Sequence, residues 1–134
     1  MSYPVYIVDT LEGSPACCNR FTGEVFLAKD VCETLPYTYV VFIILHECAH
    51  IEIGTTDESR ADSLAFYRYA ALGLPLSDAV FALTKILNCD ISQSNFIAEH
   101  EKRINDQYNR VLWYDANINK YPLSIKKYKD LQKC

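Results

Sequence analysis

Two histidines stand four residues apart in this chain, with a glutamate beside the first: His46-Glu47-Cys48-Ala49-His50. On a helix, residues four apart share a face. Two imidazoles at that spacing can grip one metal ion, and the neighbouring carboxylate can reach a water beside it. The chain has only three histidines, and this motif uses two of them. The plain alternative is a pair of buried, hydrogen-bonded histidines at chance spacing; the acids that follow argue against it.

A catalytic zinc ion ordinarily takes three protein ligands and keeps a fourth position for water. One arrangement places a third histidine six residues after the second, with a glycine between. Those positions are Thr56 and Ile53 here, which excludes it. A second arrangement draws the ligand from the following helix, in the spacing Glu-x-x-x-Asp. The run Glu58-Ser59-Arg60-Ala61-Asp62 has it. Glu58 would ligate the metal, and Asp62 would accept a hydrogen bond from the far ring nitrogen of a ligand histidine, His46 before His50. Seven residues separate His50 from Glu58, with Gly54 among them, enough for a tight helix–turn–helix. Asp57 is a rival ligand, because Gly54-Thr55-Thr56-Asp57 is similar to another zinc-peptidase pattern; it lacks a partner four positions on. Without the histidines, Glu58 and Asp62 would be ordinary acids favoured at a helix N-terminus.

These residues need elements to hold them. Tyr3–Val8 is aromatic and β-branched and reads as a strand. Leu11–Thr22 is rich in turn formers and reads as a loop, and Gly23–Ala28 as a second strand paired with the first. Pro36 suits the first turn of a helix. Tyr37–Ile53 is apolar on all sides and β-branched in part; its length and the motif make it a buried helix, stopped by Gly54. Thr55-Thr56-Asp57 starts the next helix with a threonine cap and an acidic first turn. That helix, Glu58 to Leu72, has apolar residues at 61, 64, 65, 69 and 72. Ser77 caps another from Asp78 to about Leu87, with Val80, Leu83, Ile86 and Leu87 on one stripe. Ser92 or Ser94 starts a longer helix to about Tyr114, its core face being Phe96, Ile97, Ile104, Tyr108, Val111 and Leu112. Beyond Pro122, Leu123–Cys134 reads as a short basic helix whose lysines form a solvated face; contact with an acidic partner is the alternative.

The whole chain bounds the function. Its 134 residues suit one domain, divided into a small sheet and loops (1–36), the metal-site helices (37–90) and C-terminal helices (91–134). A net charge of −4 gives no nucleic-acid footprint. No apolar run approaches the ~20 residues that span a bilayer, and no signal peptide is visible, so a cytoplasmic location is expected. Of the six cysteines, Cys17 and Cys18 are adjacent, Cys48 lies inside the helical motif and Cys134 is last, a pattern that fits reduced thiols better than disulfides. Cys48 would face away from the metal, into packing.

From about Gly23 to Leu87 the chain resembles the gluzincin metallopeptidases, in particular the short intracellular or mobile-element members of the ImmA/IrrE type and the minimal gluzincins. The residues that carry the likeness are His46, Glu47, His50 and the Glu58–Asp62 run followed by Leu64-Ala65-Phe66. The short spacing between His50 and Glu58 departs from many of them. The resemblance implies an α+β, zincin-like domain: a short N-terminal β-hairpin or sheet followed by a bundle of four to five helices. It implies one zinc ion per chain on His46, His50 and Glu58, with Glu47 as general base in the hydrolysis of a protein or peptide substrate. It also implies a second oxyanion donor, for which His100 and Tyr67 are candidates beside Tyr69, Tyr108 and Tyr114. His100, between Glu99 and Glu101 on a polar stretch, reads better as a surface histidine. The substrate would lie along an edge strand, here Glu24–Ala28. The alternative function is a non-catalytic zinc-binding structural or regulatory protein; a phage gene is one origin it would fit, with virion association as one location open to it.

Overall fold

The structure is a computed structural model and describes residues 3–11, 14–88 and 97–117. Three strands come first: β1 (Val5–Val8), β2 (Ala16–Asn19) and β3 (Glu24–Ala28). Five helices follow: α1 (Lys29–Thr34), α2 (Tyr37–Ile53), α3 (Glu58–Ala71), α4 (Leu76–Asn88) and α5 (Ile97–Asn117). The fold is α+β, a three-stranded mixed sheet followed by helices.

The strand order is β1-β3-β2. β1 and β3 are parallel, with Val5 opposite Val25 and Val8 opposite Ala28. β2 and β3 are antiparallel, with Ala16 opposite Leu27 and Asn19 opposite Glu24. Two expectations are corrected here. β2 lies inside the segment expected to be a loop. Its turn formers are real, but they close a hairpin: Asn19 Oδ1 accepts from the N–H groups of Phe21 and Thr22, and Gly23 takes φ +78° before β3 begins. The strand Ala-Cys-Cys-Asn has no β-branched residue to announce it. Consequently β3 is the central strand, and Glu24–Ala28 is not an edge; β1 and β2 are.

α1 leaves β3 directly, its turn closed by Thr34 Oγ1 donating to the Asp30 carbonyl at 2.6 Å. Pro36 is the N-cap of α2, one position before the first turn. α2 runs over the expected Tyr37–Ile53. Its β-branched residues do not make it a strand because the helix is central and packs on both sides. Ile43 joins Ala16, Leu27, Ala28 and Val31 against the sheet. Phe42 joins Ala65, Phe66, Tyr69, Leu83 and Val111 among the helices. Burial of this kind outweighs a few tenths of a kcal/mol per residue of propensity.

α4 begins before Ser77, so that residue lies inside the helix and does not cap it. On α5, Ile104 and Val111 face the core as expected, but Tyr108 and Leu112 are exposed. The buried stripe is Arg103, Gln107 and Val111 instead. Two of those three are polar, and they can be buried because partners await them: Gln107 Nε2 donates to the Ala79 carbonyl at 3.2 Å, and Arg103 meets Asp62. Ser92, Ser94, Phe96 and the expected basic helix 123–134 lie outside the described residues. No described helix is long and apolar enough to cross a membrane.

Candidate metal centre

The centre is built where α2 ends and α3 begins. His46 and His50 occupy one face of the last two turns of α2. Gly54 ends the helix in the left-handed region, at φ +59°, with its N–H on the carbonyls of His50 and Ile51. The reversal brings the Thr55 carbonyl against His50 Nδ1 at 2.8 Å. Asp57, not a threonine, is the N-cap of α3: its Oδ1 accepts from the N–H groups of Ser59 and Arg60 at 3.0 and 3.3 Å. Thr55 Oγ1 acts one step earlier, accepting from Asp57 N–H. Asp57 is exposed, and its capping oxygen is turned to the helix start. The first two turns of α3 then lay Glu58 and Asp62 against the two imidazoles.

Three side chains converge. His46 Nε2 and His50 Nε2 are 3.2 Å apart. Glu58 Oε2 lies 3.0 Å from the first, and Glu58 Oε1 3.3 Å from the second. Ligands ~2.0–2.1 Å from a tetrahedral zinc ion stand roughly 3.3 Å from one another, so the two nitrogens are spaced like two such ligands, and each has one Glu58 oxygen at a comparable distance. The tautomers agree. The carbonyl at His50 Nδ1 requires a hydrogen there and leaves Nε2 with a lone pair. His46 Nδ1 sits 3.0 Å from Asp62 Oδ1, bent away from a linear hydrogen bond, and this carboxylate likewise favours the hydrogen on Nδ1. Lone pairs and a carboxylate facing one another at such distances repel unless a cation lies among them. His46, His50 and Glu58 form a group that could hold a metal ion.

Without a metal, the cation is a proton. Burial disfavours a charged His46, but Asp62 and Glu58 outweigh it and raise its pKa to about 9. His50 moves the same way: burial opposes, and Glu58 and the Thr55 carbonyl prevail. Glu58 is held well below the usual carboxylate range, against its burial, by the two histidines. Asp62 is lowered too, against burial, by Arg103 and His46.

Arg103, from α5, is the residue that sequence reasoning missed. Its Nε and Nη2 donate to the two oxygens of Asp62 at 2.7 and 2.8 Å, and Nη2 lies 3.1 Å from Glu58 Oε2. Nothing in the sequence singles it out among the basic residues of α5.

One side of the centre opens on a cleft of about 300 Å³ lined by Glu47, His50 and Glu58, by Thr55 and Thr56, and by Ser14, Ala16, Cys17, Cys18 and Arg20 on and beside β2. Glu47 therefore stands at the mouth of the group, half-buried. Cys18 faces it, and burial followed by the Glu47 charge pushes that thiol up to about 12. The described cysteines 17, 18, 32 and 48 are all free thiols. Tyr67 and His100 do not line the cleft. Tyr69 is buried and donates to the Pro75 carbonyl at 2.7 Å, Tyr108 is exposed, and Tyr114 packs on Phe66. Besides His50, Arg20 is the one basic side chain among the described cleft residues.

No protein-family model, no curated protein and no solved structure matches this chain.

Proposed function

We propose that the chain is a zinc-dependent peptidase of the gluzincin type. The observation that carries this reading is the pairing of a three-residue cradle, His46, His50 and Glu58, with an open cleft lined by Glu47. A structural zinc site is closed by a fourth protein ligand. Among the described residues the group has three, and a glutamate beside the open side has no use in a closed site.

A zinc ion held by His46, His50 and Glu58 would polarise the scissile carbonyl and lower the pKa of a water toward about 7. Glu47 takes the proton of the attacking water on its carboxylate and passes it to the leaving nitrogen as the peptide bond breaks. Thr55 and Asp62 hold the imidazoles with Nε2 toward the cradle. Arg20, which lines the cleft, would meet negative charge developing on the carbonyl oxygen. The substrate lies extended in the cleft, pairing by main-chain hydrogen bonds with β2, whose outer edge is free of other described strands. This reading does not use His100 or Tyr67 as oxyanion donors, since neither lines the cleft.

The test is metal content by elemental analysis together with proteolysis of unfolded casein, on wild type, Glu47→Gln and Glu58→Ala. The expected outcome is one zinc per chain in wild type and Glu47→Gln, less in Glu58→Ala, with cleavage in wild type alone. Zinc bound with full activity retained in Glu47→Gln would overturn the general base. Zinc bound without cleavage of any peptide library would favour the non-catalytic zinc protein.

A further inference from the structure

We propose that Arg103 is a positioning residue of the metal centre, so that α5 is part of the site and not merely part of the core. The inference rests on the metal reading above. The side chain is 5% exposed and ends in a forked ion pair with Asp62, itself fully buried. A planar guanidinium holds a carboxylate in one orientation, because both of its bonds must be met at once. The orientation that results places Asp62 Oδ1 3.0 Å from His46 Nδ1. Arg103 Nη2 also touches the Glu58 oxygen that faces His46. One side chain thus restrains two of the three ligands, His46 through Asp62 and Glu58 directly. It belongs to a helix 41 residues further along the chain than Asp62. The rest of α5 holds it there: Gln107 is bonded to the Ala79 carbonyl, and Val111 is packed in the helical core.

A bystander would behave differently. A cation beside a metal site opposes binding by charge alone, so a purely electrostatic Arg103 would weaken affinity, and its removal would strengthen it. A positioning Arg103 does the reverse. Outer partners of metal ligands are worth about 10–100-fold in affinity.

The experiment is zinc titration of the metal-stripped full chain against a competing chelator, for wild type, Arg103→Lys and Arg103→Met. It is accompanied by the visible spectrum of the cobalt-loaded protein. Arg103→Lys keeps the charge and loses the fork. Both variants are expected to bind about 10–100-fold more weakly, with an altered cobalt band. Circular dichroism should be unchanged. If Arg103→Met does not fold, Arg103→Lys decides. A folded variant that binds as tightly as wild type, or more tightly, overturns the inference and leaves the metal centre standing. A wild type that binds neither zinc nor cobalt removes the metal centre and this inference with it.

Discussion

The Thr55 carbonyl accepts a hydrogen bond from His50 Nδ1–H at 2.8 Å, across the turn that joins the two helices of the centre. The turn depends on Gly54, whose φ of +59° an L side chain adopts at a cost of roughly 1–2 kcal/mol. A methyl group there would meet no neighbouring atom within 4 Å. Gly54→Ala should therefore lower stability by about 1–2 kcal/mol through backbone strain alone. Zinc affinity should fall with it, because relaxing the turn moves the carbonyl from His50. Denaturant unfolding and zinc titration of this one variant check both effects.

Asp57 and Glu58 are neighbours with different work. Asp57 caps α3, so Asp57→Ala should cost about 1 kcal/mol of stability and change zinc affinity little. Glu58→Ala should reverse the pattern, abolishing tight zinc binding. A zinc site lost in Asp57→Ala at unchanged stability would restore Asp57 as the ligand.

The Asp62–Arg103 pair predicts an asymmetry in stability. Arg103→Met alone leaves a buried carboxylate with a single histidine for partner, and breaking such a pair costs about 3–5 kcal/mol. The double variant Asp62→Leu/Arg103→Met, which removes both charges, should be less destabilised than Arg103→Met. Equal or greater loss in the double variant by denaturant unfolding would contradict the pairing.

The metal-free protein should be most stable between about pH 4.5 and 6.5. Asp62 and Glu58 are depressed in the fold, so their contribution is present above their ordinary pKa values near 4 and is lost as pH falls below them. His46 is raised from 6.5 to about 9, so its contribution is full below 6.5 and is lost as pH rises through 9. Zinc must displace that proton, and the increment in Tm on adding zinc should grow between pH 6.5 and 9. Thermal unfolding across pH, with and without zinc, checks both limbs.

The sequence by itself determined which residues meet at the end of α2 and the start of α3, and the helices that carry them. His46, Glu47, His50, Glu58 and Asp62 are legible because a helix converts spacing into a shared face, and because Gly54 stops one helix where the next must turn back. The span of α2 is legible for the same reason. These are local relations, decided within a few turns. Tertiary structure decided what comes from far along the chain. That β3 lies between β1 and β2 depends on pairing, which the residues of a strand do not specify alone. It put Glu24–Ala28 in the middle, made the plain tetrapeptide Ala16–Asn19 one of the two edges among the described strands, and brought Cys17 and Cys18 to the cleft. The stripe that α5 buries was expected to be apolar at Tyr108 and Leu112. It contains Arg103 and Gln107 instead, because the Asp62 carboxylate and the Ala79 carbonyl stand where α5 docks, and a buried polar group goes where its partner is.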